Sequence, residues 1–388
     1  MQTLGYISVQ PDWPIDVANA RNGLEGEHKF WVSAYRADCP SIHASVLATK
    51  DSLIVDSDKL SATSVGARQL RLASPDLDIP PSLYTACAHT LVCSHITRGT
   101  GVRSFDVSKF GGLLVACGDD GVMDVYEAES GAHRVRLDGH LGDVTCCMLF
   151  PSGQVVLSGA TDMRVKIWSA SDGTNPVTLV GHTAPITDLA IIGVGKEVLS
   201  SAKDGSVRLW NCGSAACLHT FDLSTMPVNA IQYGDSTVAA ACEDGRLFLI
   251  DVQAREVAAV FGSIGGPPMR AVAYDAQNNM LYGGQADGAV CVWDIDDPTN
   301  PKHMFRRAQA SISVLRLVRQ ESAVPSVCIG TEDGQLYLVS LSDGVQVIED
   351  LVAFDVNPIS QVRAIPAVGS ATRQQIWASG QDSRVCRF

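Results

Sequence analysis

The sequence predicts an all-β fold, a seven-bladed β-propeller with a small β-rich N-terminal domain, and three observations predict it. A unit of about 42 residues recurs along most of the chain. Each copy sets an Asp-Gly or similar turn between two alternating apolar runs, which is hairpin chemistry. The 388 residues are 46% hydrophobic and only 18% charged, enough apolar side chain for one large core and too much for a disordered chain.

Taken in chain order, residues 1–84 lack the repeat. Apolar alternation predicts strands over 30–35, Ile42–Ala48 and Leu53–Val55, and Pro14 opens a short helix. Trp13 and Trp31 are expected to anchor the core of this unit. The stretch ASPDLDIPPS (73–82), with Pro75, Pro80 and Pro81, reads as a linker, so the propeller is placed over 85–388.

The clearest copies of the repeat are GDDGVMDVY (118–126), GATDMRVKIW (159–168) and SAKDGSVRLW (201–210), whose turn aspartates Asp120, Asp162 and Asp204 stand 42 residues apart. Weaker copies at CEDGRLFLI, QADGAVCVW, TEDGQLYLV and GQDSRVCRF carry Asp244, Asp287, Asp333 and Asp382, completing seven units. A further strand precedes each hairpin, as at Val144–Leu149 or Ile186–Ile192, and an outer strand follows, as at Val177–Val180. Four short strands at this period make a propeller blade, and a ring of blades buries faces that no blade could bury alone. The seventh hairpin closes on Phe388, so its outer strand is expected from upstream. The run 91–93, followed by His95 where a Gly-His loop would fall, is expected to close the ring and remove its exposed edges.

Two units carry more than a pattern. Gly139-His140 is followed by Ser158, Asp162 and Trp168, and Gly181-His182 by Ser200, Asp204 and Trp210, with the same steps of 18, 4 and 6. These are the marks of a WD repeat. The physical reading is a structural relay: the turn Asp accepts from the His, and His, Ser and the Trp indole N–H extend a network in which every buried polar group has a partner. A Ser/His/Asp trio suggests a hydrolase, but here it repeats in two blades and ends on Trp, whereas a nucleophile needs an exposed pocket and an oxyanion site. H-E-x-x-H, G-x-x-x-x-G-K-[ST] and G-x-S-x-G are all absent. No catalytic, cofactor or metal site is therefore expected, and binding is the favoured class.

Of twelve cysteines, Cys117, Cys146, Cys147, Cys242, Cys291, Cys328 and Cys386 sit in apolar, strand-like runs where a thiol acts as a small hydrophobe. No C-x-x-C occurs, and neither the Cys146–Cys147 pair nor the Cys212–Cys217 spacing suits zinc. The net charge of −13, with no Lys/Arg cluster, argues against nucleic acid and suits a basic protein partner. The opening MQTLGYISVQPDWP lacks the basic patch and apolar run of a secretory signal, and no stretch approaches the ~18 apolar residues that cross a bilayer, so an intracellular, soluble chain away from membranes is expected.

The segments LDGHLGDVTCCMLFPSGQVVLSGATDMRVKIWSASDG (137–173) and GKEVLSSAKDGSVRLWNCGSAACL (195–218), with SVQPDWPI and KFWVSAYRADCPS nearer the N-terminus, resemble the proteasomal ATPase-associated factor 1 family. The match is close over blades two and three and weak from about residue 225 onward. The resemblance implies an assembly chaperone of the 26S proteasome regulatory particle. Such a protein binds the C-terminal small domain of a base AAA-ATPase subunit, in cytoplasm and nucleus, and is a monomer apart from that partner. Propellers usually grip partners on the face carrying the hairpin turns. The residues just before the turn aspartates are Asp119, Thr161, Lys203, Glu243, Ala286, Glu332 and Gln381, and the acidic three, Asp119, Glu243 and Glu332, are the candidate partner-binding set. The alternative is a WD-repeat scaffold or substrate receptor of another complex, such as a ubiquitin ligase. Such receptors often carry Trp-Asp-x-Arg at a blade's end, but here the equivalents are Trp168-Ser-Ala-Ser, Trp210-Asn-Cys-Gly and Trp293-Asp-Ile-Asp.

Overall fold

The computed structural model describes residues 1–93, 101–109, 111–234, 236–319, 326–342, 344–354, 357–366 and 374–388. His95 lies outside them. The repeats fold as four-stranded antiparallel blades spanning 104–138, 144–180, 186–222, 228–262, 269–306 and 312–352, and the last combines 359–387 with His89–Val92. The first strand of each blade lies against that of the next, and Ile359–Pro366 of blade seven lies against Ser104–Val107 of blade one, so the seven form a closed ring.

The inner strands are buried along nearly their whole length, as at Met280–Gln285 and Ser326–Thr331, because both faces of each blade are covered by neighbours. Val115, Cys117 and Met123 of blade one meet Cys147, Val156 and Trp168 of blade two in one cluster, and Leu199, Val207 and Phe221 of blade three meet Val228, Val238 and Phe248 of blade four in another. Cys117, Cys146, Cys147, Cys242, Cys291, Cys328 and Cys386 are free, buried thiols in such packing. Burial pushes the Cys242 and Cys291 thiols up to about 12, which keeps them protonated and inert.

The last blade takes its outer strand from the N-terminal side of the ring. His89–Val92 pairs antiparallel with Arg384–Arg387, Leu91 opposite Val385, and both side chains enter the apolar cluster between blades seven and one.

Ahead of the ring lies a second small sheet, Tyr6–Val9, Lys29–Tyr35, Ile42–Ala48 and Leu53–Val55, with the helix Trp13–Arg21 beside it. Trp13 is fully buried against Phe30. Trp31 is not a core residue as expected: it is 41% exposed, because Phe30 and Val32 on either side of it point inward.

The segment read as a linker is also structured. Pro75 opens a 3-10 turn, and Pro80 and Pro81 belong to the strand Ile79–Ala86, which runs across residue 84. That strand pairs antiparallel with Gln69–Ser74 and, from Leu83 onward, parallel with Gln346–Val352 at the outer edge of blade six. The two prolines fall where the register slips between Leu72 and Ser74, so neither is asked for a ladder N–H. At the other end, Gln2–Thr3 adds a parallel strand to blade five beside His303–Arg306. The N-terminal unit thus covers two blade edges that would otherwise expose unpaired backbone. A polar clasp fixes it: buried Arg307 reaches Asp350 at 2.5 Å and lies over the Tyr6 and Tyr337 rings, at 5.0 and 4.5 Å.

Candidate functional site: a buried relay and the face above it

In blade two the Trp168 indole N–H, which can only donate, reaches Ser158 Oγ at 2.8 Å. Ser158 Oγ lies 2.7 Å from His140 Nε2, and His140 Nδ1 lies 2.9 Å from Asp162 Oδ2. One proton arrangement satisfies every atom: Trp donates to Ser, Ser donates to His Nε2, and the neutral ring donates from Nδ1 to the carboxylate. Asp162 also accepts from the Leu141 and Arg164 backbone N–H groups, which ties the loop before the blade to its hairpin turn. Blade three repeats the set within 0.1 Å: Trp210 to Ser200 at 2.8 Å, Ser200 to His182 at 2.8 Å, and His182 to Asp204 at 2.8 Å.

Neither histidine side chain has any exposed surface, and Ser158 and Ser200 are fully buried. No substrate reaches these serines, so the trios fasten the blades. Burial holds both histidines below their ordinary value despite the aspartate each faces. Burial also pushes the two carboxyls up. At Asp162 the His140 bond leads the contacts that reverse this, and at Asp204 the Thr183 N–H and Ser206 hydroxyl bonds lead, bringing it to about 2.

The other blades fasten the same turn by other means. In blade four Ser224 and Arg246 hold Asp244, at 2.6 and 2.6 Å, while Ala240 and Ile250 stand where Ser and Trp stood. In blade seven Arg384 holds Asp382, bonding it through Nε at 2.6 Å.

Above these turns lies the face on which the sequence placed Asp119, Glu243 and Glu332. The structure separates the three. Asp119 is paired with Arg103 at 2.7 Å, and Glu243 with Arg270 at 2.8 Å and Asn229 at 2.8 Å, so their charges are already answered within the ring. Glu332 is exposed and has no ion pair among the described residues. It lines a hollow with Asp119, Arg103 and Gln381 at the centre of the face.

Sequence reasoning missed an apolar feature of the same face. Leu141, Met226 and Ile264, in the loops leading into blades two, four and five, are 82%, 45% and 75% exposed. Met163 at the turn of blade two and Val180 at the end of its outer strand are exposed beside them in the chain order of the ring. Loop residues preceding a blade are the signal: an apolar side chain at the position after His140, where the relay uses only the backbone N–H, has no core to enter.

Comparison with known proteins adds a second line. Residues 131–169 and 173–211, the relay-bearing blades, match the family described as WD domain, G-beta repeat. The chain is 33% identical over 407 residues to a Dictyostelium discoideum protein described as probable proteasomal ATPase-associated factor 1, covering 93% of this chain and 92% of that one. It is 28% identical over 152 residues to the proteasomal ATPase-associated factor 1 of Homo sapiens and 31% over 152 residues to that of Gallus gallus, in each case over 38% of this chain and 36% of the relative.

Proposed function

Because this chain belongs to the proteasomal ATPase-associated factor 1 family, we propose that it binds a proteasomal AAA-ATPase subunit, through that subunit's C-terminal small domain, as an assembly chaperone of the regulatory particle. The observation that carries the binding mode is the face just described. It carries exposed Leu141, Met226 and Ile264 on the loops before blades two, four and five, and the exposed carboxylate of Glu332, which has no ion pair among the described residues. Protein interfaces take their energy from a few buried anchors of this kind, while rim charges mainly steer encounter. A net charge of −13 favours a basic partner surface.

The role is that of a non-catalytic platform working as a monomer in cytoplasm and nucleus. The polar side chains that could do chemistry in blades two and three are spent on holding the blades. The test is a titration of the purified chain against the purified small domain of each regulatory-particle ATPase. One of them binds saturably, and Leu141→Asp with Ile264→Asp weakens it at least tenfold without moving the melting temperature. Unchanged affinity in that double variant excludes this face.

A further inference from the structure

The innermost strands of the seven blades enclose a central channel, which holds a cavity of about 380 Å³. Its wall is unlike the rest of the molecule. In a chain of net charge −13, four arginines, Arg103, Arg270, Arg316 and Arg363, face this cavity, against one carboxylate, Asp188.

Three of those arginines have partners: Arg103 holds Asp119, Arg270 holds Glu243, and Arg363 Nε bonds Asp106 at 2.7 Å. Arg316, midway along Ile312–Val318, has no hydrogen bond or ion pair among the described residues. Asp188 and Asp106 are near enough to favour its charge, but neither bonds it: the Asp188 oxygens accept the backbone N–H groups of Leu189 at 2.8 Å and Ile231 at 2.9 Å, and Asp106 bonds Arg363. Burial and the neighbouring Arg363 charge bring Arg316 down to about 10, so it stays a cation at neutral pH. Two further donors lack partners: the hydroxyls of Ser313 and Ser360 are buried and unbonded. Both stand at a register shift in the first strand of their blade, and both line the channel.

We propose that the central channel binds a small oxyanion of the phosphate class, with Arg316 as its charge partner and the Ser313 and Ser360 hydroxyls as further donors. An unbonded guanidinium on the wall of a confined channel, beside the like charge of Arg363, is favoured by an anion that meets it. Its planar fork matches phosphate oxygens. Donors arriving from different blades around an axis suit a tetrahedral oxyanion, whose oxygens point several ways, better than a planar carboxylate. The volume admits phosphate or pyrophosphate, whether free or carried on a small molecule.

Isothermal titration of the full chain with inorganic phosphate and with pyrophosphate, against sodium chloride at matched ionic strength, tests this. One-site saturable binding is expected for at least one of the two probes. Arg316→Met, which removes an unpaired charge and keeps the stem, is expected to fold with a melting temperature no lower than the parent's and to bind at least tenfold more weakly. Binding by Arg316→Met within threefold of the parent overturns the assignment. A wild-type chain that shows no saturable binding of either probe overturns it without recourse to the variant.

Discussion

Ser158→Ala is the sharpest perturbation of the blade architecture, because one oxygen serves two partners. Ser158 Oγ accepts from Trp168 Nε1 at 2.8 Å and bonds His140 Nε2 at 2.7 Å, and all three side chains are buried. Removing the hydroxyl leaves an indole donor and an imidazole acceptor without partners, at about 1–3 kcal/mol each. The hydroxyl itself no longer has to be desolvated, which returns part of that cost. The net loss is about 2–4 kcal/mol, read as a lowered urea midpoint with the slope unchanged. Ser200→Ala in blade three is expected to match it closely, since its three distances are the same within 0.1 Å. Combining Ser158→Ala with Trp168→Phe is expected to cost less than the sum of the two by about 0.5–3 kcal/mol, because both break one network. A Ser158→Ala loss below about 0.5 kcal/mol, or strict additivity in the double variant, would refute the proton arrangement.

Acid stability follows from the same residues. Burial holds His140 and His182 below 6.5, so the unfolded chain takes up protons first, and stability falls as pH drops below about 6.5. Asp162 and Asp204 lie below 3.8, so their contribution is present above that value and disappears as pH falls toward about 2. Thermal melts across pH 3–8 should show both declines, and a chain equally stable at pH 5 and pH 7.5 contradicts the neutral histidines. Leu91→Ala, in the strand that closes blade seven, should cost about 2–4 kcal/mol and speed hydrogen exchange in 384–387. Asp350→Ala strips the partner from buried Arg307 and should cost about 3–5 kcal/mol, with protease sensitivity appearing first in residues 1–86. Met163 occupies a turn position at φ 65°, where Gly205 stands in blade three, so Met163→Gly should leave stability unchanged or raise it by up to about 1 kcal/mol in the same melts.

The ring was legible because its signal repeats: the turn aspartates and the His, Ser, Asp and Trp steps recur at one period, and only a circular array satisfies that many copies. A hairpin lacking its fourth strand pointed upstream to 91–93, and the strand that pairs with Arg384–Arg387 is His89–Val92, two residues earlier at its start. The N-terminal unit was harder. Pro80 and Pro81 truthfully mark backbone without ladder donors, yet a register slip provides such backbone inside a strand as well as a linker does. Trp31 was misjudged by residue type, although Phe30 and Val32 around it already fixed its side of the strand. At the rim, sequence shows which carboxylates reach the face but not which ones an arginine neutralises, whether from the same blade, as Arg103 does Asp119, or from the next, as Arg270 does Glu243. Arg103 precedes Asp119 by 16 residues and Arg270 follows Glu243 by 27, and neither spacing is a local pairing signal. The apolar loop residues escaped because a lone Leu141 or Ile264 is unremarkable until the ring gathers such positions on one face.

The proposed function is that this propeller grips a proteasomal ATPase with one face. Size-exclusion chromatography of the purified chain mixed with each purified regulatory-particle ATPase subunit tests it most directly. Co-elution with a particular ATPase is predicted, together with its loss on replacing Leu141 and Ile264 by Asp and its absence with the proteolytic core particle. Separate elution from every ATPase, or equal co-elution of the double variant, would contradict it.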